Sequence, residues 1–278
     1  MMLLIDLIRK VVPLRLRQDV GLWTAKRAGK SKFIAYPYFW LLCGKIPQDL
    51  KFLSNGDCSV TYFGNEIFAP RDGILAFIEV LQDRIYEKFW SPKVGDIVLD
   101  IGAYVGMFTL RVTRLVGDTG MVIAIEPEPH NLSYLKRNVE HLSNVRVIEE
   151  AISDRIGEGT LYISNATPCH TLIYPHKKSI KVKINTLDNI VAQLNLPHID
   201  FIKMDIEGAG LQALEGARCV LKDGTKLAIA AYHTLSDGSP EMPCIINLLK
   251  SAGYQTYVSG GYVYAERRMR RDYVQKVS

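Results

Sequence analysis

The stretch that decides the fold is VLDIGAYVGMFTL, residues 98–110. It starts with an apolar run that predicts a buried strand ending at Asp100, and an apolar helix is predicted to follow over 108–116. Gly102 and Gly106 lie in the turn between them, where small residues let the backbone approach a ligand closely. An acid followed by G-x-x-x-G is not the G-x-G-x-x-G of dinucleotide-binding enzymes, so an NAD-dependent oxidoreductase is not favoured.

Further segments repeat this pattern of buried strand and helix. Helices are predicted over 130–142 and 207–221, and Asn131 is placed to support the start of the first. Continuous apolar strands that alternate with helices indicate an α/β fold with a parallel sheet covered on both faces. An antiparallel hairpin around Gly260-Gly261 is predicted near the end of the chain. The remaining predicted core strands are MVIAIE (121–126), NVRVIEE (144–150), IDFIKMD (199–205) and KLAIAAYH (226–233).

The first two core strands each end in a carboxylate, and these two carboxylates give a first indication of the ligand. Asp100 would repel a pyrophosphate but could hold an ammonium group, which favours a cofactor that carries an amino acid over NAD. Glu126, one β-α-β unit further on, could accept hydrogen bonds from both hydroxyls of a ribose. The alternative is that both acids cap strand ends in an unrelated α/β protein.

With these motifs the chain resembles the FkbM family of class I S-adenosylmethionine-dependent methyltransferases. The resemblance covers roughly residues 95–265. It implies a Rossmann-like, mostly parallel seven-stranded sheet with helices on both faces and a C-terminal antiparallel hairpin. It also implies bound S-adenosylmethionine and O-methyl transfer to hydroxyls of sugars or macrolide-type natural products. The motifs are VLDIGAYVGMFTL, IAIEPEPHN (123–131), EAISD (150–154), INTLDNIV (184–191), FIKMDIEGAG (201–210) and AIAAYH (228–233).

The family often continues its fourth-strand motif as KxDxEGxE, and here the chain departs from it. Gly210 stands where the second glutamate of that motif would be, so no role of that glutamate can be carried over. The departure leaves open a non-catalytic module that only binds the cofactor. The residues predicted to bind S-adenosylmethionine are Asp100, Gly102, Tyr104, Gly106, Glu126, Glu150 and Ala151.

Methyl transfer to a hydroxyl requires a group that removes the hydroxyl proton. Asp205 ends the fourth core strand on the ligand side and is the first choice at the reaction centre. Glu207 could orient Asp205 or bind the substrate, or it could simply occupy the first turn of the next helix. His233 ends the fifth strand and is either the base or a structural histidine. The three could together bind a hard cation, but their spacing does not demand one and no metal is predicted.

Composition is that of a globular protein. The 278 residues are 48% hydrophobic and 23% charged, which excludes a disordered chain and suits one large domain with an appended segment. The five cysteines form no C-x-x-C pair, so a reduced, cytoplasmic protein without a zinc module is predicted. The predicted units are a basic helical segment (1–45), a hairpin around Gly64-Asn65 with a helix over 73–90 (46–94), and the cofactor-binding domain (95–278).

Positive charge is concentrated at the two ends of the chain. Residues 1–45 hold nine basic and two acidic residues, a balance of +7, and 267–278 hold five and one, a balance of +4. The net charge of the whole chain is +5, so residues 46–266 carry a balance of −6. This negative balance disfavours a nucleic-acid acceptor. The segment 1–45, with aromatics such as Trp40, either packs on the main domain or contacts an anionic membrane peripherally.

Together these features predict an O-methyltransferase that uses S-adenosylmethionine. The expected acceptor is a hydroxyl of a glycan, a lipid-linked saccharide or a related natural product. The alternatives are another acceptor, such as RNA or a small metabolite, and the non-catalytic binding module. The sequence predicts neither the particular acceptor nor the oligomeric state, because loops that vary between relatives form acceptor pockets.

Overall fold

The computed structural model of the chain describes residues 49–73 and 76–267, so the expectations for segment 1–45 lie outside the described residues. The described strands are β1 (Lys51–Phe52), β2 (Cys58–Tyr62), β3 (Asn65–Ala69), β4 (Ile97–Ile101), β5 (Met121–Ile125), β6 (Val145–Ile148), β7 (Ala151–Ile152), β8 (Gly157–Ile163), β9 (Lys178–Asn185), β10 (Phe201–Met204), β11 (Lys226–Ala230), β12 (Tyr254–Ser259) and β13 (Tyr262–Arg267). The described α-helices are α1 (Met107–Val116), α2 (Pro129–Val139), α3 (Leu187–Gln193), α4 (Gly210–Glu215) and α5 (Glu241–Ser251).

The central sheet has seven strands in the order β12-β13-β11-β10-β4-β5-β6. The five strands from β11 to β6 are parallel, and β13 runs antiparallel between β11 and β12. This confirms the predicted α/β class and the terminal hairpin. From β4 the chain builds the sheet first towards β6 and later, from β10, in the other direction. A crevice for a ligand therefore opens over the carboxyl ends of β4 and β10.

The central strands are buried on both faces, as their continuous apolar runs predicted. On β4, Val98 packs with one hydrophobic cluster, while Leu99 and Ile101 pack with the cluster on the other face. Phe201 and Ile202 of β10 divide between the two faces in the same way. This two-sided burial specifies the register between β4 and β10, in which Lys203 is paired with Asp100.

Two small sheets flank the central one. β1, β2 and β3 form an antiparallel sheet, and the pairing of Tyr62 with Asn65 places the turn at Phe63 and Gly64. β8 and β9 pair antiparallel, and β7 adds to β9 in parallel. β7 follows β6 directly, so this second small sheet lies beside the carboxyl end of the central sheet.

The continuous helix predicted over 73–90 is wrong. The described part of this region is a 3-10 turn (Arg71–Gly73), a π-helical segment (Phe77–Gln82) and a second 3-10 turn (Ile85–Glu87). Arg84 has a φ of 53°, which an α-helix does not tolerate. The break turns Tyr86 into the core, where its ring packs edge-on against Phe108 and Tyr262. Packing of this aromatic ring outweighs the helical periodicity.

Three further helix predictions need correction. α2 begins one residue earlier and ends three residues earlier than expected, and Glu128 is its N-cap, whose side chain accepts a hydrogen bond from Asn131 N. The helix predicted over 207–221 is shorter, since α4 starts only at Gly210 and a separate 3-10 turn covers Val220–Lys222. Helix α5 was not predicted; Pro240 and Pro243 at its start concealed its apolar periodicity.

Candidate active site

Gly102 and Gly106 shape the turn after β4, but through contacts with protein. Gly102 has a φ of +74°, and a Cβ there would lie 1.9 Å from the carbonyl oxygen of Asp205. Gly106 has a φ of +87°, and its Cβ would lie 2.7 Å from Leu135 Cδ1. From the sequence, both glycines were expected to make room for a ligand. In the structure they make room for the end of β10 and for α2, and only Gly102 lines a cavity.

Asp100 does not reach the cavities, contrary to its prediction as a cofactor ligand. Its side chain is fully buried, with Oδ2 accepting a hydrogen bond of 2.6 Å from Thr109 Oγ1. Its Oδ1 lies 3.0 Å from the ammonium nitrogen of Lys203, which also donates to the carbonyl of Gly102. The ammonium group that Asp100 holds is therefore a protein group. Asp100 and Lys203 tie the ends of β4 and β10 together.

A narrow cleft runs along the carboxyl ends of β4 and β5. Glu126 lies at its base, where Oε2 accepts a hydrogen bond from Tyr104 N and Oε1 accepts one from Glu128 N. Burial raises the pKa of Glu126 to about 7, and the two backbone hydrogen bonds offset only part of that effect. At neutral pH the group is therefore divided between its protonated form and its ionised form, which accepts hydrogen bonds from donors that enter the cleft.

The other predicted cofactor residues in this region also line the narrow cleft. They are Tyr104, Glu150 and Ala151. Glu150 Oε2 accepts a hydrogen bond of 2.7 Å from Asn185, and Ala151 lies in β7. Asn131 was missed as a site residue. Its Oδ1 is buried and has no hydrogen-bond partner within the described part of the chain, so it offers a free acceptor to a ligand.

A large cavity of about 480 Å³ adjoins the narrow cleft. Both are lined by Gly102, Tyr104, Asp205 and Glu207, so the two spaces meet at the ends of β4 and β10. Among the described residues, five with aromatic side chains line the large cavity: Tyr86, Tyr104, Phe108, Tyr174 and Tyr232. Its lining includes four carboxylates, those of Asp72, Glu79, Asp205 and Glu207.

Asp205 presents one oxygen to this junction. Its Oδ2 accepts a hydrogen bond of 2.6 Å from the hydroxyl of Tyr86, whose pKa burial raises well above its usual value. Its Oδ1 is buried and has no hydrogen-bond partner among the described residues. Tyr86 therefore fixes the carboxylate and leaves Oδ1 for a ligand. No signal in the sequence identified Tyr86, since it lies 119 residues from Asp205.

The structure brings the three predicted catalytic residues together. His233 Nε2 lies 3.2 Å from Glu207 Oε2, and His233 Nδ1 lies 3.6 Å from Glu241 Oε2. Burial alone would lower the pKa of His233, but the nearby carboxylates of Glu207 and Glu241 outweigh it and raise the pKa to about 10. One donor atom from each of Asp205, Glu207 and His233 lies within 4.8 Å of the others, a spacing in which a cation could also be held.

Glu207 is not in the first turn of α4, which removes the structural alternative considered for it. It precedes α4 by three residues and has a φ of 51°, a rare conformation for a residue with a side chain. Tyr104 shares this feature with a φ of 54°, and both residues line the two spaces. Backbone strain of this kind concentrates at functional sites.

Residues of the loop over 165–178 line both spaces, and hydrogen bonds hold this loop in place. Thr167 donates to Asp72 through both its backbone N and its hydroxyl. Thr171 donates to the carbonyl of Glu207, and the hydroxyl of Tyr174 contacts the backbone of Thr234. The loop therefore forms a fixed wall of the site.

The order of the seven-stranded sheet, its antiparallel hairpin and the carboxylate at the end of β5 are those that the resemblance to class I S-adenosylmethionine-dependent methyltransferases implied. The family model described as "Methyltransferase FkbM domain" matches residues 100–256, and the chain belongs to this family. The matched part of the chain is thus a methyltransferase domain whose methyl donor is S-adenosylmethionine. This confirms the family, the class of enzyme and the cofactor that the sequence predicted.

Known proteins similar to the chain are methyltransferases. It is 23% identical over 162 residues to Methyltransferase 1 of Beauveria bassiana, a match that covers 50% of this chain and 64% of the relative. It is 26% identical over 179 residues to the 2-O-methyltransferase NoeI of Sinorhizobium fredii, covering 57% and 73%. The solved structure of Methyltransferase FkbM from Methylobacillus flagellatus KT has a TM-score of 0.47 and 18% identity, covering 90% and 59%. The chain spans less than two thirds of the Beauveria protein.

The narrow cleft fits the cofactor in its donor and acceptor groups. The free Oδ1 of Asn131 and the buried carboxylate of Glu126 are both acceptors, and S-adenosylmethionine carries ribose hydroxyls and an adenine amino group as donors.

Within residues 49–73 and 76–267, the structure contains no helix of sufficient length and hydrophobicity to cross a bilayer.

Proposed function

We propose that the protein transfers a methyl group to a hydroxyl of a glycan, a lipid-linked saccharide or a related natural product. One observation carries the proposal: Asp205 lines both the narrow cleft and the large cavity, and its buried Oδ1 has no partner among the described residues. A carboxylate oxygen at that junction can bind an acceptor hydroxyl beside the cofactor. The similarity to NoeI, which is named as a 2-O-methyltransferase, supports transfer to oxygen.

In this proposal, the narrow cleft binds the nucleoside part of the cofactor. Glu126 accepts hydrogen bonds from the ribose hydroxyls, because its carboxylate is buried at the end of β5. Tyr104, Glu150 and Ala151 frame the cleft, and Asn131 Oδ1 accepts a hydrogen bond from a donor of the cofactor. Asp100 acts indirectly by holding Lys203 and the turn after β4.

Asp205 is the proposed proton acceptor. The cofactor supplies an electrophilic methyl group on its sulfonium, so the protein must align the acceptor oxygen and take its proton. Tyr86 holds Asp205 Oδ2, which sets the direction in which Oδ1 points. His233 is a poor base because its raised pKa keeps it protonated at neutral pH, and its proposed role is to hold Glu207 through an ion pair with 3.2 Å between Nε2 and Oε2.

The lining of the large cavity supports a saccharide acceptor. Aromatic rings pack against the apolar faces of a sugar ring, and carboxylates accept hydrogen bonds from its hydroxyls. The four carboxylates outnumber the cationic groups of the same lining, Lys203 and protonated His233, so they disfavour an acceptor with several phosphates near the reaction centre. RNA is therefore the weaker alternative.

The acceptor proposal is tested by labelled-methyl transfer. Wild-type protein and Asp205→Asn are incubated with radiolabelled S-adenosylmethionine and separate lipid-linked saccharide, free glycan and RNA fractions of the source cell. Label in a saccharide fraction, absent with the variant, is the expected result. Label in RNA would overturn the acceptor class. Cofactor binding without label in any fraction would favour the non-catalytic module.

Cofactor affinity is expected to depend on pH through Glu126. Ionised Glu126 accepts hydrogen bonds from two hydroxyls and the protonated form accepts them poorly, so affinity should rise as the pH passes through about 7. Glu126→Ala should weaken binding by about 1.5–3 kcal/mol at high pH and abolish this dependence. Calorimetry with S-adenosylhomocysteine across the range measures both effects. A pH-dependent affinity that survives in Glu126→Ala would assign the dependence to another group.

We also propose that segment 1–45 brings the enzyme to an anionic membrane surface near its acceptor. The support is its sequence alone: a +7 balance, an amphipathic start and the aromatic cluster around Trp40. The full chain should co-sediment with vesicles that contain phosphatidylserine, and less so at high salt. Replacing Arg9, Lys10, Arg15 and Arg17 by Gln should reduce sedimentation. Equal, negligible sedimentation of both proteins would favour packing of the segment against the main domain.

A further inference from the structure

The position at which the chain departs from its family has a neighbour that fills the space. A Cβ at Gly210 would lie 2.9 Å from Glu241 Oε1 and 3.3 Å from Ile245 Cδ1. A side chain at 210 and the carboxylate of Glu241 thus compete for one place. The family motif often has a glutamate at 210, and here a carboxylate reaches the same place from α5.

Glu241 is buried and held from several sides. It is fully inaccessible to solvent, although it begins helix α5. Its Oε1 accepts a hydrogen bond from Leu211 N, and its backbone N donates to the carbonyl of His233. A carboxylate with no access to water needs a charged or hydrogen-bonding partner to remain ionised.

The partner that faces the remaining oxygen of Glu241 is His233. The distance from Glu241 Oε2 to His233 Nδ1 is 3.6 Å, while Nε2 on the opposite side of the ring lies 3.2 Å from Glu207 Oε2. The ring therefore lies between two carboxylates: Glu207, which lines the large cavity, and Glu241, which is fully buried. Glu207 lines the cavity and Glu241 does not, so only Glu207 can touch an acceptor.

We propose that Glu241 is the positioning residue for His233 and supplies from α5 the carboxylate that position 210 lacks in this chain. The inference rests on the proposed function in one respect, namely that His233 faces the acceptor. The ion pair between Glu241 and Nδ1 holds the ring so that Nε2, on its opposite side, lies 3.2 Å from Glu207. Without Glu241, the ring would lose one of the two carboxylates that favour its protonated form and would be held less firmly beside Glu207.

The test follows the ring nitrogens of His233 directly. The protein is labelled with ¹⁵N-histidine, and the His233 signals are assigned from the spectrum of His233→Gln. At neutral pH the wild-type ring should show both nitrogens protonated. In Glu241→Gln this pattern should be lost, while affinity for S-adenosylhomocysteine stays within about twofold. Glu215→Gln, which removes an exposed carboxylate of α4, should leave the spectrum unchanged.

A transposition variant separates positioning from a general loss of packing. In Gly210→Glu/Glu241→Gly, the Cβ of the new glutamate would lie 2.9 Å from the place that Glu241 Oε1 occupies in the wild type. The backbone at 210 accepts a side chain because its φ is not positive. This double variant should recover the doubly protonated ring, whereas Glu241→Gly alone should not. An unchanged His233 spectrum in Glu241→Gln, or a folded double variant without recovery, would overturn the proposal. If Glu241→Gln does not fold, the double variant alone decides.

Failure of this inference can be told apart from failure of the proposed function. The spectrum reports the state of His233 without any acceptor, so it does not depend on the identity of the substrate. Label transferred to a saccharide together with an unchanged His233 spectrum would refute only the role of Glu241. The expected spectrum without methyl transfer to any saccharide would refute only the acceptor class.

Discussion

Asp205→Asn is expected to lower turnover about 10²–10⁴-fold, the range that a positioned general base contributes. Asparagine keeps the size of the side chain and can still accept a hydrogen bond from Tyr86, so the end of β10 should be preserved. It cannot take up the acceptor proton, because an amide is not a base at neutral pH. Affinity for S-adenosylhomocysteine and the thermal midpoint should stay near those of the wild type.

Two matched variants make this prediction specific. Tyr86→Phe removes only the hydroxyl that holds Asp205 Oδ2, so it should reduce turnover less than Asp205→Asn does. Asp237→Asn changes an exposed aspartate outside both spaces and should leave turnover unchanged. Turnover of Asp205→Asn within about twofold of the wild type, roughly 0.4 kcal/mol in barrier, would remove Asp205 from the reaction centre.

Gly102→Val should abolish cofactor binding and lower the thermal midpoint strongly. The first carbon of any side chain would lie 1.9 Å from the carbonyl oxygen of Asp205, far inside van der Waals contact. The backbone at 102 also has a positive φ, which disfavours a branched residue. The ends of β4 and β10 would have to separate, and with them the residues shared by the narrow cleft and the large cavity.

Gly224 supplies the control for backbone strain. It has a φ of +82°, similar to that of Gly102, but nothing lies within 4 Å of its Cβ position. Gly224→Ala should therefore cost only the conformational strain, about 1–2 kcal/mol, and leave cofactor affinity unchanged. Gly102→Ala should cost much more. Equal thermal midpoints for the two alanine variants would show that the contact with Asp205 does not constrain the site.

The sequence predicted those parts of the fold that periodicity and strand ends determine. β4, β5, β10 and β11 are mostly apolar runs, and such runs specify two-sided burial without knowledge of their neighbours. Asp205 and His233 were predicted to meet because the carboxyl ends of parallel strands share one edge of the sheet. His233 reaches that edge from three residues beyond β11.

What the sequence missed depends on contacts between distant segments. Asp100 has the expected position, yet its partner is Lys203 on the neighbouring strand, and no local pattern reveals that pairing. Tyr86 breaks a periodic helix in order to reach Asp205. The contact of Glu241 with position 210 depends on helix α5, which the sequence did not predict and which packs on α4 beside Gly210.

The central claim is that the methyl group reaches an oxygen at the junction of the narrow cleft and the large cavity. The most direct measurement uses S-adenosylmethionine with a ¹³C methyl group and the saccharide fraction that accepts label. The ¹³C spectrum of the isolated product distinguishes a methyl ether from methyl bound to nitrogen, sulfur or carbon. A methyl ether on a sugar, formed by the wild type and not by Asp205→Asn, is the predicted result. Methyl on any other element, or a methyl ether formed equally by both proteins, would contradict the account.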